Sequence, residues 1–125
     1  MIRFVDNYFS ARDDRGSIVG LINFGTWREL NLIRSEEGVI RGNHYHESTE
    51  EGFVILHGKI EITLQKVRDG QLVGEVAKYE VSEGSVFLID PMVNHKFFIK
   101  VPSVWMNFLS RAMDPSSPDI YRVSV

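Results

Sequence analysis

Phe53-Val54-Ile55-Leu56-His57-Gly58-Lys59-Ile60-Glu61-Ile62-Thr63-Leu64-Gln65 is the stretch that decides the fold class. Its second half alternates apolar and polar residues, the pattern of a strand with one face buried. Its first half is a continuous apolar run, and Gly58 divides the two. Downstream, Arg68-Asp69-Gly70-Gln71 places Asp-Gly where a tight hairpin needs positive φ. Residues 72–81 then read as the returning strand, ended by Ser82-Glu83-Gly84. Ser85-Val86-Phe87-Leu88-Ile89 is a further apolar run that Asp90-Pro91 stops, and residues 95–101 and 104–109 are predicted as two strands around Pro102-Ser103. Upstream, residues 17–23 and 29–34 are strand candidates, with Gly16 and Gly25 as punctuation. The tail around Pro115 and Pro118 cannot be helix interior, because each proline lacks an amide donor. Turn signals at this spacing predict one all-β domain over residues 1–125, an antiparallel barrel or sandwich.

Composition narrows the function. With 125 residues, 43% hydrophobic and 25% charged, the chain suits one domain able to bury a core without staples. Fourteen Lys and Arg against seventeen Asp and Glu give a net charge of −3, which argues against a nucleic-acid partner. The absence of cysteine excludes disulfides, thiol nucleophiles and Cys-ligated zinc. Arg3 and Asp6 interrupt the start before any signal-like apolar run, and no stretch approaches the roughly 18 apolar residues that span a bilayer. The expectation is a soluble cytoplasmic protein with no membrane partner.

Four histidines stand at positions 44, 46, 57 and 95. His44 and His46 occupy i and i+2 of a predicted strand and so share a face. Glu51 heads the row Glu51, Phe53, Ile55 and points with that strand's inward residues. A carboxylate there needs a partner, because an unpaired buried charge is costly. His95 follows the turn Asp90-Pro91-Met92-Val93-Asn94. Three imidazoles and one carboxylate suit a single divalent transition metal ion: Zn, Fe, Mn, Co or Ni. A lone His-x-His is most often a solvated pair; the Glu and the later His make the set. Glu50 is the alternative carboxylate, Glu47 falls in a solvated turn, and His57, abutting Gly58, reads as a rim residue.

The spacing Gly38-x5-His44-x-His46-x4-Glu51-x6-Gly58 resembles the first cupin motif, and Gly84, Pro91 and His95 resemble the second. Met92 stands where glycine is common, a departure that affects the turn more than the ligand. The resemblance implies a double-stranded β-helix, or jelly-roll barrel, over about residues 17–110, with the N-terminal strand and C-terminal tail packed on it. Within that superfamily, Arg41 through His46 with Glu51-Gly52-Phe53 is similar to cupins acting on nucleotide-linked sugars. Asp114-Pro115, Pro118-Asp119 and Tyr121 resemble the closing segment of the C-terminal cupin of capsular-polysaccharide reductase–epimerases. Asp14-Arg15-Gly16-Ser17 resembles the opening of sugar-nucleotide ketoisomerase and 3,5-epimerase cupins.

What this implies is a metal-dependent epimerase or isomerase acting on a nucleotide-linked keto-deoxy sugar in polysaccharide biosynthesis. His44, His46, Glu51 and His95 would be ligands, and Arg41 and Arg34 would hold the diphosphate. The base stays open among Tyr45, His57, Tyr121 and a metal-bound water; Phe97 and Trp105 could line the pocket. The alternatives are a mononuclear iron dioxygenase with the same ligands and a non-catalytic small-molecule-binding cupin. A homodimer is expected, with Phe4, Val5, Tyr8 and Phe9 covering a partner's sheet.

Overall fold

A computed structural model describes residues 1–123. In chain order the strands are β1 (Ile2–Phe4), β2 (Phe9–Asp13), β3 (Gly16–Gly20), β4 (Glu29–Ser35), β5 (Ile40–His44), β6 (Glu51–Arg68), β7 (Gln71–Ser82), β8 (Val86–Ile89) and β9 (Val93–Leu109). No helix occurs among the described residues, and none therefore is long and apolar enough to cross a membrane.

Two long strands organise the molecule. β6 and β9 pair antiparallel from Glu51↔Leu109 to Lys66↔Val93. β1, β8 and β4 extend one half of this ribbon, in the order β1-β8-β6-β9-β4; β5 joins the other half of β9, and β7 the other half of β6. The reading of residues 53–65 and 95–109 as broken strands is corrected: each is one strand that turns a corner. At the corner the register shifts between Ile55 and His57, His57 and Lys59, and Lys59 and Ile60. Gly58 adopts φ 115° there, and any side chain on it would collide with Ser103. Pro102 sits opposite, where the interrupted ladder asks for no amide. The Ser103 hydroxyl repairs the gap, accepting from the Lys59 amide at 3.3 Å and donating to the Val101 carbonyl at 2.8 Å.

Curling the ribbon buries one face. Phe53 stacks on Phe87 and Trp105 at 5.1 and 5.6 Å, and Phe97 meets Trp105 edge-on at 4.9 Å. Ile55, Ile60, Ile62, Leu64 and Ile99 complete this interior. The opposite face of the first half carries Val54, Val86, Leu88 and Phe108, covered by Val5, Leu21, Ile22 and Trp27. β2 and β3 form a separate two-stranded sheet. The strand expected at residues 17–23 is therefore the shorter β3, hairpinned to a β2 that no periodicity had marked. In the expected N-terminal cover, Phe4 and Val5 pack near Phe87 and Val86 on their own barrel, while Phe4, Tyr8 and Phe9 all keep large exposed faces.

Candidate metal centre

β5 ends in a bulge that turns His44 inward. Gly42 and Asn43 take φ 73° and 61°, and the register with β9 shifts between Gly42 and His44. Close approach explains the glycine, since a Cβ there would lie 2.9 Å from the His95 carbonyl. Tyr45 then bridges Tyr121, so the chain stays extended and His46 returns to the same side as His44. His46 itself lies just past the strand. Glu51 is the first residue of β6, and His95, on β9, stands opposite His44.

The sequence-predicted donors come together. One ligand atom from each of His44, His46, Glu51 and His95 lies within 4.8 Å of all the others. The rings of His44, His46 and His95 are 4.8–5.2 Å apart in pairs. Glu50 is not among the clustered donors; its amide and carbonyl pair with Ser110.

The hydrogen bonds fix which nitrogens face inward. His46 Nδ1 lies 2.6 Å from the Asp119 carbonyl, and His95 Nδ1 lies 3.0 Å from the Val93 carbonyl. A carbonyl can only accept, so both Nδ1 atoms carry hydrogen and each ring turns its Nε2 inward. Those two Nε2 atoms converge on Glu51 Oε1, at 2.9 Å from His46 and 3.2 Å from His95. An ionised carboxylate only accepts, so this convergence calls for a cation among the three atoms, either a proton on Nε2 or a metal ion. His95 Nε2 is buried with no hydrogen-bond partner. The donor set and this orphaned nitrogen fit a divalent metal ion.

Without the ion, the charges respond in the expected directions. Burial alone would raise the Glu51 carboxyl, but the facing His46 and His95 rings outweigh it and hold it far below the usual range. Burial opposes charge on His46, yet its bond to Glu51, that carboxylate's charge and Asp119 raise it above the ordinary value. Burial, then the neighbouring His95 and His46, push His44 down to about 4. His44 is thus a neutral donor at physiological pH.

Glu51 is also held from behind: Asn107 Nδ2 donates to its Oε2 at 2.7 Å. The cluster opens into a cavity of about 370 Å³ whose wall includes Arg41, Phe97, Trp105, Asn107 and Arg122, inside the ~300–1,000 Å³ range of small-molecule sites. A larger groove of about 730 Å³ lies outside the barrel beside the β2–β3 hairpin, lined mainly by apolar residues such as Phe9, Ile18, Leu30 and Phe108.

Other sequence-predicted residues lie apart. Ile33 lines the site cavity, but Arg34, one residue on, faces outward into a different surface cavity with His57 and Pro102. His57 is exposed, 3.7 Å from Glu83, as a rim residue would be. Tyr45 is buried against Tyr121, their rings stacked at 5.6 Å, and neither lines the site cavity. Sequence reasoning missed Arg122, whose guanidinium donates to the Asn43 carbonyl at 3.0 Å while lining the cavity. It missed Asn107 and assigned Asp119 no role; single polar residues carry no periodic signal.

Residues 11–121 match the family described as the polysaccharide biosynthesis C-terminal domain, and the chain belongs to that family. A relative from Pseudomonas aeruginosa, UDP-2-acetamido-2,6-beta-L-arabino-hexul-4-ose reductase, is 25% identical over 116 residues, 90% of this chain and 30% of its own length. The capsular polysaccharide assembling protein CapF from Staphylococcus aureus superposes with a TM-score of 0.70 at 27% identity, over 94% of this chain and 34% of CapF. The chain therefore spans about a third of the length of these relatives. The 3,4-ketoisomerase QdtA from Thermoanaerobacterium thermosaccharolyticum, solved as a mutant in complex with TDP-4-keto-6-deoxyglucose, superposes with a TM-score of 0.73 at 18% identity. That match covers 97% of this chain and 86% of QdtA. The fold is that of the RmlC-like cupins, as the spacing of the histidine motif implied.

Proposed function

We propose that this domain is a metal-dependent cupin that epimerises or isomerises a nucleotide-linked keto-deoxy sugar in polysaccharide biosynthesis. The observation that carries the reading is the convergence of two inward Nε2 atoms and Glu51 Oε1 beside a cavity wide enough for a sugar ring. The family and the sugar-nucleotide ligand of QdtA support the substrate class. His44, His46, Glu51 and His95 would hold one divalent transition metal ion. When bound, it supplies a Lewis acid that stabilises negative charge on a ketone oxygen.

The chain's own residues do the rest. Arg41 and Arg122 at the cavity would take the diphosphate, and Phe97 and Trp105 exclude water from the sugar face. Tyr45, His57 and Tyr121 do not line the cavity, so proton transfer beside the ketone falls to the cluster or to solvent within it. The protein acts as a homodimer in this reading, since the β2–β3 hairpin leaves Phe9 and Ile18 exposed.

The purified protein is expected to carry about one transition metal per chain, lost in the His44→Ala/His46→Ala variant. With TDP-4-keto-6-deoxyglucose and its UDP-linked counterparts in D₂O, metal-dependent deuterium entry beside the ketone supports the isomerase. No metal after reconstitution overturns the site; oxygen consumption without exchange moves the assignment to the iron dioxygenase.

A further inference from the structure

The Pro118-Asp119 segment plays no part in the chemistry above, yet Asp119 is bonded through both its carboxylate and its carbonyl. Its carboxylate accepts from the Glu47 amide at 2.9 Å, the Ser48 amide at 3.0 Å and the Thr49 hydroxyl at 2.7 Å. Its own carbonyl accepts His46 Nδ1–H at 2.6 Å. Thr49 is only 1% exposed, so the Asp119 carboxylate ties an otherwise exposed turn to a buried side chain. Burial alone would raise the Asp119 carboxyl, but the bonds from Thr49, Glu47 and Ser48 hold it below the ordinary carboxylate value.

The tail around it is pinned on the far side. Tyr45 and Tyr121 exchange both backbone hydrogen bonds at 2.9 Å, and Arg122 reaches back to the Asn43 carbonyl. The connection between β5 and β6, which carries His46 and delivers Glu51, is thus clamped by residues some seventy positions later. A free imidazole can carry its hydrogen on either nitrogen. Only a ring with hydrogen on Nδ1 can bond the Asp119 carbonyl while turning its Nε2 to Glu51.

We propose that Asp119 is a positioning residue for His46. Its carboxylate fixes the 47–49 turn, and through that turn its carbonyl locks His46 in the Nδ1–H tautomer with Nε2 facing the cluster. The metal reading enters only through the affinity consequence. The Nδ1–H bond to the Asp119 carbonyl is present without an ion.

The test uses the full chain and Zn(II) alone, in competition with a chromophoric chelator, beside ¹⁵N spectra of the histidine rings in metal-free protein at a pH above the raised His46 titration, where the ring is neutral. Asp119→Ala is expected to weaken zinc binding about 10- to 100-fold, the usual cost of losing a ligand's supporting partner. It should also replace the single His46 Nδ1–H signal with a mixture, while His95, held by the Val93 carbonyl, keeps its signal. Asp119→Asn, which retains an acceptor oxygen, should recover part of both. If Asp119→Ala does not fold, Thr49→Val, which removes one of the three carboxylate bonds, should shift both readouts in the same direction by less. A folded variant that loses thermal stability but keeps the His46 tautomer and wild-type affinity overturns the proposal. A wild-type protein that binds no zinc overturns the metal reading instead, and the tautomer comparison still decides this one.

Discussion

Asn107 illustrates how much a single side chain can fix. An ionised carboxylate only accepts, so the Asn107 amide nitrogen must face Glu51 and its Oδ1 must turn away, where it lies buried without a partner. That nitrogen keeps the second Glu51 oxygen out of the cluster. Asn107→Leu should therefore lower zinc affinity about tenfold with the fold retained, measured by chelator competition; unchanged affinity would show that Glu51 orients itself. His44 offers a pH test in the metal-free protein. Its folded value of about 4 lies below the ordinary 6.5, so between those limits the unfolded chain binds more protons and stability falls as pH falls. The His44 ring should titrate near pH 4 by NMR; a midpoint near the ordinary value would mean the site is solvated. The clustering of His44, His46, Glu51 and His95 was legible at this scale because strand parity and Gly58 count them off. Arg34 was not, because parity was never applied to it: it sits between inward Ile33 and Ser35, and alternation sends it outside.

The elements were legible up to their corners. Gly58 and Pro102-Ser103 break the local pattern, and a break in pattern looks the same whether a strand ends or bends. What distinguishes them is the neighbouring strand, which continues across the gap, and that is long-range information. The bulge at Gly42–Asn43 escaped for the same reason. Gly52 makes the packing of β6 testable. Its place between Glu51 and Phe53 lets the Phe108 ring lie directly on the backbone, and an added Cβ would overlap that ring and meet Leu88 Cδ2 at 2.7 Å. Gly52→Ala should cost about 1–3 kcal/mol in denaturant unfolding, the usual penalty for overpacking. A cost near zero would mean Phe108 moves freely, and then Trp27, 4.7 Å from it edge-on, would have to move too.

For the whole molecule, the apolar surface is uneven. Leu30 and Leu32 lie on the outward face of the edge strand β4 at 64% and 51% exposure, and Ile18 on the hairpin is 66% exposed. A two-stranded hairpin is marginal in water by itself, and an apolar edge strand invites pairing. Sedimentation at micromolar concentration should give a dimer, and Ile18→Lys with Leu30→Lys should give a monomer that still binds metal. A monomeric wild type would remove the dimer.

The clamp on His46 has a consequence in time. Its ring is bonded to a residue 73 positions later, so at the ~5–20 residues per second of synthesis, a growing chain holds all four ligands for some seconds before Asp119 exists. During that interval His46 is free to take either tautomer, and a metal arriving early meets a site whose geometry has not been set. On the proposed metal reading, loading into the set geometry therefore follows the synthesis of Asp119.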